Sequence, residues 1–587
     1  MSKFWFAGGY YIDLDEYGQL RIAGPGNHLF CGLTLPKPFG ISKMKQTNNK
    51  LRLHLSFQDA EIVIHQPVMG DIRSVRTVTE VPNTARPTFA EMQKTYPGQF
   101  MPSETVIKHS GTLRLVFTRK FSGYRYGFEM DFPKQATIAQ EDGTYRISSP
   151  GAVNLILNCF FDFPSDKLKI RRLVSNGLIQ NSHSLLPEEL QNLVERTEEE
   201  IEHLISYSKT SSYEYGTVFP RDWMEAAELG IGDLSPSTIE EMYGQALKNV
   251  SPEGEGWHED VIGEAATRFS FEGLDIIDRR MIDIEPRYLL GLGKLSQKFL
   301  RKPENIEKLR LIAKYVVAQA RECELITFKD PLVGNWRDSP SAFNGAKGPI
   351  APFDVNAVFY PVALEKIVQF QDMLHIEDHD ILQLMEKWQK VHHKYAFTDT
   401  HGQNGFALCL YGIAPTPLPV HHTDEAYYFL YGWPTRAECV SFATRLLSPE
   451  YFHTDSGPII VGKNQGYSPR QYHGEVIWPK QTALVVAGLR RQLDRAFYEE
   501  WPLGDMHKLR TALSETAKKS IRAFVELDSV PELYIDVDGK AIRYDSQTVR
   551  DGQVSYIQLW SAVGFRRILR DLIYINLKYD QPLEFLP

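Results

Sequence analysis

The sequence predicts a multi-domain protein in which an N-terminal antiparallel β-sandwich is followed by an all-α (α/α)6 toroid barrel. Two observations lead to this fold class. The 587 residues exceed what one ordinary hydrophobic core supports, so two or more domains are expected. The spacing of apolar residues also changes along the chain, from strand-like alternation to helical periodicity. We place the domains at residues 1–165 (sandwich), 166–207 (linker with a helix) and 208–587 (barrel).

The strand pattern occupies residues 1–165. Apolar and polar residues alternate over 51–57 and 112–121, and a further apolar run covers 153–158. Glycine and proline separate these runs, and several short strands with frequent turns are typical of a sandwich. The proline-bearing segment 83–108 is predicted to be a long loop.

The linker contains one predicted helix that begins at Pro187. Its apolar positions recur at helical spacing, from Leu190 to Ile205, so one face should be buried and the glutamate-rich face solvated.

The remaining sequence predicts helices joined by long, polar, aromatic loops. A set of about a dozen antiparallel helices closes into a double ring or forms an open array, and propensity alone does not separate the two. The loops favour the ring, because functional residues commonly lie on loops at one end of a rigid scaffold. The predicted helices cover residues 222–231, 236–249, 283–299, 304–322, 354–374, 379–394, 422–431, 434–446, 478–493, 506–526 and 553–577.

The overall composition excludes several classes of protein. The net charge of −9 argues against a nucleic-acid-binding surface, which would be basic. The five cysteines are odd in number, widely spaced and without a CxxC pair, so neither a disulfide framework nor a zinc site is expected. No apolar run approaches the roughly 18 residues of a membrane helix, and the N-terminus lacks a signal core. We therefore expect a cytoplasmic protein without nucleic-acid or membrane partners, and we predict no particular oligomeric state.

The first polar loop that could carry chemistry ends in Arg221, Asp222 and Trp223. A guanidinium fork and a carboxylate can bind adjacent hydroxyls, and the indole supplies an apolar wall, which is the mixture that sugar recognition needs. The alternative is structural, because an aspartate at a helix start is also a favoured N-cap.

The second loop carries Trp257, His258, Glu259 and Asp260. Their spacing matches no helix-borne metal motif such as H-E-x-x-H, so we predict substrate contact or surface charge and no metal. In the third loop, over residues 275–288, a buried ion-pair network explains most of the charges, and Asp283 is the one expected to face a cleft.

In the fourth loop, Trp336 and Arg337 precede Asp338, and Asn356 follows at the next helix start. A carboxyl packed against an indole is partly desolvated, which should raise the pKa of Asp338 toward that of a general acid. An Asx turn is the structural alternative for Asp338.

The fifth loop runs from Tyr472 to Gln481 and leads into a predicted buried helix that begins near Pro479. It places Glu475 among His473, Trp478 and Lys480. A carboxylate there is either a working group or half of an ion pair with Arg470 or Lys480. The sequence shows no Gly-x-Ser-x-Gly elbow, Walker loop or dinucleotide fingerprint, and we predict no cofactor.

These loops together resemble the glucosidase domain of glycogen debranching enzymes and, more distantly, the glucoamylase-like (α/α)6-barrel glycoside hydrolases. The resemblance rests on four blocks in the family's order: Pro220-Arg221-Asp222, Asn335-Trp336-Arg337-Asp338-Ser339, Tyr472-His473-Gly474-Glu475 with Trp478-Pro479, and Gln558-Leu559-Trp560-Ser561-Ala562. The family's aromatic-Gly before Arg-Asp is here Phe219-Pro220, and its Trp-Pro-Trp is Trp478-Pro479-Lys480.

The resemblance implies hydrolysis of an α-glucosidic bond with inversion, of the amylo-α-1,6-glucosidase type. Asp338 would be the general acid, with Asp283 and Glu259 as competing candidates, and Glu475 the general base, kept ionised by Lys480 or His473. The alternatives are another small-glycoside hydrolase (of sucrose, trehalose or glucosylglycerate), a glycoside phosphorylase, and a non-catalytic carbohydrate-binding homologue. The carbohydrate would contact Arg221, Asp222, Trp223, Trp257, His258, Glu259, Asp283, Trp336, Arg337, Asn356, His473, Trp478, Gln481 and Trp560.

Overall fold

The structure is a computed structural model of the chain. It describes residues 3–7, 10–14, 19–23, 28–34, 40–47, 50–71, 102, 104–109, 111–121, 124–142, 144–161, 177–211, 216–260, 277–330, 334–544 and 554–579.

The N-terminal part is an antiparallel sheet, as the alternating pattern predicts. The strands pair in the order β1-β2-β3-β4-β6-β11-β9-β8-β7, with β5 on β6 and β10 on β11. The long strands β6 and β11 pair with each other. Their pairing runs from Lys50 opposite Phe160 to His65 opposite Thr144, with one register shift. The strands are β1 Lys3–Ala7, β2 Tyr10–Leu14, β3 Gln19–Ala23, β4 His28–Thr34, β5 Gly40–Thr47, β6 Lys50–Asp71, β7 Glu104–His109, β8 Leu113–Phe121, β9 Tyr124–Phe132, β10 Thr137–Glu141 and β11 Thr144–Phe161.

One part of the predicted 83–108 loop is wrong. Glu104–His109 is strand β7, because it pairs with β8 along its whole length. Residues 83–101 and 103 lie outside the described residues.

The C-terminal part is helical, as predicted. Its principal helices are α1 Glu188–Ser206, α2 Pro220–Leu229, α3 Pro236–Ala246, α4 Ile284–Leu290, α5 Pro303–Glu322, α6 Tyr360–Gln369, α7 Ile381–Gln389, α8 Glu425–Tyr431, α9 Arg436–Leu447, α10 Pro479–Tyr498, α11 Leu503–Leu527 and α12 Leu559–Lys578. Proline occupies the first position of α2, α3, α5 and α10, where its missing N–H costs no hydrogen bond.

Shorter elements fill the connections. They are the helical turns Leu178–Ser182, His183–Leu185, Gly291–Lys294, Gln297–Leu300, Gln371–Leu374 and Val391–Tyr395, and the strands Glu259–Asp260, Ile277–Asp278, Ile350–Pro352, Ala396–Thr398, Asn404–Phe406, Cys409–Tyr411, Thr416–Leu418, Tyr534–Val537 and Lys540–Arg543.

Two helices differ from the prediction in an informative way. The predicted helix 283–299 stops at Leu290 and becomes a 3-10 turn over Gly291–Lys294, where two glycines favour leaving the helix. Ahead of α6, Asp354–Phe359 is a wider π-helical turn. Pro361 has no N–H to donate to the carbonyl four residues earlier, so a regular α-helix cannot run through this point.

Six of the helices contact one another in a cyclic order. Helix α2 contacts α4, α4 contacts α6, the turn before α6 contacts α8, α8 contacts α10, α10 contacts α12, and α12 returns to α2. The other helices pack on this ring: α3 on α2, α5 on α4 and α6, α7 on α6, α9 and α11 on α10, and α1 on α12. A toroid of the predicted kind requires such a cyclic order.

The buried apolar side chains form two separate clusters. One contains strand residues from Ile12 to Cys159, and the other contains residues from Ile179 to Ile575. Within the part of the chain that the structure describes, no residue belongs to both clusters. The boundary residues 165 and 207 stay a prediction.

Candidate active site

The ring helices bring buried polar side chains together where they begin. Gln558 donates from Nε2 to Asp222 Oδ2 over 3.2 Å, and Gln481 donates to the carbonyl of Thr423 over 2.8 Å. Carboxylates at helix N-termini also gain from the helix dipole. The side chains at these helix starts are Arg221 and Asp222 (α2), Asp283 (α4), Asp354 (the π-helical turn before α6), Asp424 (α8), Lys480 and Gln481 (α10), and Gln558 and Trp560 (α12), all buried.

Arg221 connects two of the predicted site residues. Its Nε lies 3.2 Å from Asp222 Oδ1, and its Nη2 lies 3.2 Å from Asp338 Oδ2. Burial disfavours the charged form of Arg221, but the carboxylates of Asp338 and Asp222 outweigh burial and raise its pKa. Arg221 and Asp338, which are 117 positions apart in the chain, are therefore in direct contact.

The pKa of Asp338 differs from the expectation. Burial raises it, but the positive charge of Arg221 outweighs burial, so the pKa of Asp338 lies below its ordinary value. The prediction that Trp336 holds this carboxyl protonated is wrong for this state of the protein. The Asp338 side chain is still 25% exposed, so the ion pair does not seal it.

Aromatic side chains form a wall beside this pair. The rings of His473 and Trp478 are stacked at 5.3 Å with an angle of 7° between planes. Trp336 meets both rings edge-on, at 5.3 and 5.7 Å. His473 Nδ1 lies 2.9 Å from Ser339 Oγ, and burial lowers the pKa of His473 to about 3, so the imidazole is neutral.

Lys480 lies beneath this wall and belongs to a buried ion-pair network. Its Nζ is 3.6 Å from the centre of the Trp336 ring and 4.5 Å from that of Trp560. It lies 3.3 Å from Glu225 Oε1 and 3.1 Å from Tyr427 Oη. Burial lowers the pKa of Lys480 to about 8. The structural alternative in which Lys480 forms an ion pair with Glu475 is wrong, because the Lys480 ammonium lies against Glu225.

Glu475 lies apart from these groups. It is half-buried, and its Oε1 accepts a hydrogen bond from the backbone N–H of Asn464 over 3.3 Å. Burial raises the pKa of Glu475, and Asn464 and Lys463 only partly offset this. The predicted ionising effect of Lys480 or His473 is therefore not what the structure shows, and nothing described brings Glu475 into contact with Asp338.

The structure reveals a buried carboxylate that the sequence interpretation missed. Glu532 is 1% exposed, and its Oε1 accepts from Tyr472 Oη over 2.6 Å. Its Oε2 accepts from the backbone N–H of Ser555 over 2.6 Å. Tyr472 packs edge-on against Trp478 at 5.0 Å. Glu532 stands between Pro531 and Leu533 in an ordinary-looking segment, and no local motif in the sequence draws attention to it.

Arg337 turns away from Asp338 into the protein interior. Its Nε and Nη2 bind Asp424 Oδ2 and Oδ1 at 2.7 and 2.9 Å. Further bonds run to the carbonyls of Ile460 and His473. With four internal hydrogen bonds, Arg337 positions the loop, and the structure does not bring it to the candidate site as a free donor.

Asn356 and Trp257 are likewise used internally. Asn356 accepts from Ile326 N and donates to the carbonyls of Ile326 and Pro352, over 2.7 to 3.0 Å. Trp257 donates from Nε1 to the carbonyl of Ala246 over 2.6 Å. Both side chains hold neighbouring segments together.

The second predicted loop forms a two-residue strand, Glu259–Asp260, that pairs with Ile277–Asp278. His258 is buried, with Nδ1 3.4 Å from Asp278 Oδ2 and its ring edge-on to Phe219 at 5.1 Å. Glu259 is half-buried. His258 acts on Asp338 and Asp222 electrostatically, so this loop approaches the Arg221 cluster.

Asp283 lies fully buried at the start of α4. Its nearest cation is Arg287, at 3.8 Å, and neither carboxylate oxygen has a hydrogen-bond partner among the described residues. Its charge nevertheless acts on Arg221 and on Asp354, whose pKa is raised to about 7 by burial and by Asp424 and Asp283.

Several buried polar atoms without a hydrogen-bond partner lie at this end of the ring. Such atoms are rare in folded proteins and call for an explanation, commonly a ligand or water. Among the described residues, they include Arg221 Nη1, Trp223 Nε1, both oxygens of Asp283, Trp336 Nε1, His473 Nε2, Gln481 Oε1, Gln558 Oε1 and Trp560 Nε1.

The described residues contain neither a membrane span nor a metal cluster. No helix among them combines the length and the apolar character needed to cross a membrane. Within the same residues, no group of three or more His, Cys, Asp and Glu side chains is placed to hold a metal ion.

Comparison with solved structures relates the chain to glycoside hydrolases by fold. A bacterial glucoamylase bound to acarbose matches 97% of this chain and 92% of its own, with a TM-score of 0.50 and 8% identity. A GH63 mannosylglycerate hydrolase from Thermus thermophilus matches 64% of this chain and 99% of its own, with a TM-score of 0.46 and 10% identity. At such identities the glucoamylase match shows a shared fold and nothing more. No family model and no curated protein sequence matches the chain.

Proposed function

We propose that the protein is a glycoside hydrolase with an (α/α)6 barrel that cleaves an α-glucosidic bond with inversion, in the manner of an amylo-α-1,6-glucosidase. The observation that carries this proposal is the group of unpartnered buried donors and acceptors around Arg221 and Asp338. A sugar ring presents hydroxyl groups that satisfy both donors and acceptors, and apolar faces that pack on indoles. The glucoamylase-like fold supports the same reading.

Arg221 and Asp222 are proposed to bind the hydroxyls of the terminal sugar. Arg221 keeps Nη1 free of hydrogen bonds while Nε and Nη2 hold the two aspartates. Trp336 and Trp560, whose indole N–H groups also lack partners among the described residues, would border the ring. Lys480 fixes both indoles from below by cation–π contact, which keeps the pocket rigid.

Asp338 is proposed as the general acid, which must carry a proton when the glycosidic bond breaks. In the structure Arg221 favours its ionised form. A sugar that takes over Nη2 of Arg221 and covers the exposed part of Asp338 would remove that attraction and increase desolvation. Both changes raise the carboxyl pKa, so substrate binding would prepare the acid.

The general base is assigned to one of two carboxylates. Glu475 is the base that the sequence predicts, but its interactions are with Asn464 and Lys463. Glu532 is bound by Tyr472, which packs on Trp478, and by Ser555, three residues before Gln558, the partner of Asp222. These contacts favour Glu532 as the general base. Tyr472 connects it to Trp478, and Ser555 connects it to the segment that carries Gln558, the partner of Asp222.

One observation favours a second candidate function. Asp338 is held in an ion pair with Arg221, an arrangement that a non-catalytic carbohydrate-binding protein would also tolerate. Such a protein would bind sugars without releasing glucose.

Glucose release separates these functions. The protein should be incubated with isomaltose, limit dextrin, maltose, sucrose and trehalose, each with and without phosphate. Release from isomaltose or limit dextrin without phosphate supports the proposal. A phosphate requirement indicates a phosphorylase, release from sucrose or trehalose alone indicates another small-glycoside hydrolase, and binding without release indicates the non-catalytic function.

A further inference from the structure

A cavity lies at the opposite end of the helix ring from the candidate active site. The candidate active site is built where the ring helices begin, whereas this cavity is lined by residues from their later turns and from the segments that follow them. Its volume is about 750 Å³, within the range of about 300–1,000 Å³ typical of small-molecule sites. Its lining includes Gly232 after α2, Leu290 of α4, Leu430 of α8, Arg490 of α10 and Tyr574 of α12.

Positive charge predominates in this cavity, although the chain as a whole carries −9. The acidic lining residues are Glu228, Glu365 and Asp494. Burial raises the pKa of Glu228 to about 6, which still leaves this carboxylate mostly ionised at neutral pH. The cationic lining residues are Lys294, Lys366, Arg490, Arg491, Arg567 and Arg570.

Three of these arginines share a single carboxylate. Arg490 Nη1 lies 2.9 Å from Asp571 Oδ1, Arg567 Nε 2.6 Å from Asp571 Oδ2, and Arg570 Nε 3.5 Å from Asp571 Oδ1. Asp571 is fully buried. Asp494 lies 3.6 Å from Arg490 and 2.7 Å from Lys578. Four cations therefore face two carboxylates, and two positive charges of the cluster remain uncompensated.

The excess positive charge also affects the pKa of one of these arginines. Burial, together with repulsion by Arg567 and Arg490, lowers the pKa of Arg570 to about 10, although Asp571 acts in the opposite direction. An anion in the cavity would relieve this repulsion.

Capping of helix ends explains only part of the cluster. Arg570 donates to the carbonyl of Ile231, and Arg491 donates to the carbonyls of Phe429 and Gly432. Cations placed in this way complement the negative ends of the ring helices. Arg490 and Arg567 make their hydrogen bonds to Asp571 instead, so their charge has no such role.

An aromatic rim borders the cationic floor. Trp433 is 61% exposed, and Arg491 and Arg495 lie 4.9 and 5.6 Å from its ring centre. Trp433 therefore offers a surface for a ring-bearing portion of a ligand, while the arginines around Asp571 bind an anionic group. Lys294, at the edge, is exposed and has no ion pair or hydrogen bond among the described residues.

We propose that this cavity binds a phosphorylated small molecule, with its phosphate on Arg490, Arg567 and Arg570. A phosphate monoester carries about −1.5 to −2 charge at neutral pH, which matches the excess of the cluster. Guanidinium groups bind phosphate oxygens in bidentate geometry. The cavity exceeds the size of inorganic phosphate alone, so the ligand has an organic portion, for which the Trp433 rim provides the surface.

Isothermal titration calorimetry with the full chain tests this proposal. The probes are inorganic phosphate, pyrophosphate, glucose 6-phosphate and, as the uncharged counterpart, glucose. Saturable binding of glucose 6-phosphate is expected, tighter than that of inorganic phosphate. Arg567→Gln should weaken it by about tenfold or more, since charge-assisted hydrogen bonds are lost. Because Arg567→Gln could perturb the Asp571 cluster, Lys294→Gln is a second variant at an exposed position, with a smaller expected loss.

Two controls fix the location. Arg436→Gln, an exposed arginine outside the cavity, should bind glucose 6-phosphate as the parent protein does. Asp338→Asn should also leave this binding unchanged, because the site is separate from the candidate active site. The proposal is overturned if none of the phosphate probes binds saturably, if Arg567→Gln and Lys294→Gln both retain full affinity, or if Asp338→Asn abolishes binding. None of these results bears on glucose release, so the two proposals fail separately.

Discussion

Arg221 Nη2 lies 3.2 Å from Asp338 Oδ2, and this contact joins the start of helix α2 to a loop more than one hundred residues later. The same guanidinium binds Asp222, which in turn accepts from Gln558 at the start of α12. One cation thus organises carboxylates from separate segments, and its remaining nitrogen, Nη1, has no hydrogen-bond partner among the described residues. The proposed chemistry depends on how a substrate changes this contact.

Asp338→Asn removes the proposed general acid. An amide cannot protonate the leaving oxygen, and general acid catalysis contributes roughly 10²–10⁴-fold, so turnover should fall by at least about 10²-fold. The measurement is kcat for glucose release. Asp330→Asn, a change at a nearby aspartate that pairs with Arg280 instead, serves as the control and should keep near-normal kcat. Equal kcat in parent and Asp338→Asn would exclude the role.

Glu475→Gln and Glu532→Gln distinguish the two candidate bases. Each substitution keeps the size of the side chain and removes its basic oxygen. We expect Glu532→Gln to lower kcat by roughly 10²-fold or more and Glu475→Gln to have the smaller effect. Thermal unfolding of both variants checks that Glu532→Gln, which alters bonds to Tyr472 and Ser555, remains folded. The opposite ranking of kcat values would return the role to Glu475.

The pH dependence should differ between free and substrate-bound protein. Arg221 lowers the pKa of Asp338 in the free protein. Because the acid acts in its protonated form, kcat/KM should decline as the pH rises from the acidic range. In the complex, where the sugar engages Arg221, the pKa of Asp338 should be higher and kcat should persist to higher pH. If kcat/KM and kcat declined at the same alkaline pH, the substrate would not be displacing the ion pair between Arg221 and Asp338.

Lys480→Met tests the buried network under Trp336 and Trp560. The change leaves Glu225 with Arg287 as its remaining cation, at 2.9 Å, and removes both cation–π contacts. Breaking a buried pair typically costs about 3–5 kcal/mol, and a loss toward the lower end is expected since Arg287 remains. Urea unfolding measures it, with exposed Lys314→Met in helix α5 as the control. An unchanged free energy of unfolding would show that Lys480 does not support the fold.

Trp336, Arg337 and Asp338 show what a sequence can and cannot say about a site. The sequence predicts that this loop belongs to a site, but the order of three consecutive residues does not say which of them faces a cleft. The structure shows that Arg337 turns inward to Asp424, while Asp338 meets Arg221. The helical pattern predicted the start of α10 closely, yet the partner of Lys480 is Glu225, on a helix more than two hundred residues earlier.

Glu532 shows the limit of reading motifs one by one. Its hydrogen bonds come from Tyr472 and Ser555, which are 60 and 23 positions away in the chain. Glu475 had the more conspicuous sequence neighbours, but its side chain bonds to the loop residue Asn464. Helix periodicity and turn residues are local signals, whereas the pairing of buried charges is decided by the packing of distant segments.

The most direct test of the proposed mechanism is proton NMR of isomaltose or limit dextrin during the first minutes of reaction with the protein. An inverting hydrolase acting on an α-glucoside releases β-glucose first, which then equilibrates with the α-anomer. We predict early β-glucose with the parent protein and almost none with Asp338→Asn. An early excess of α-glucose over its equilibrium share, or no glucose from any of the glucosides, would contradict the mechanism.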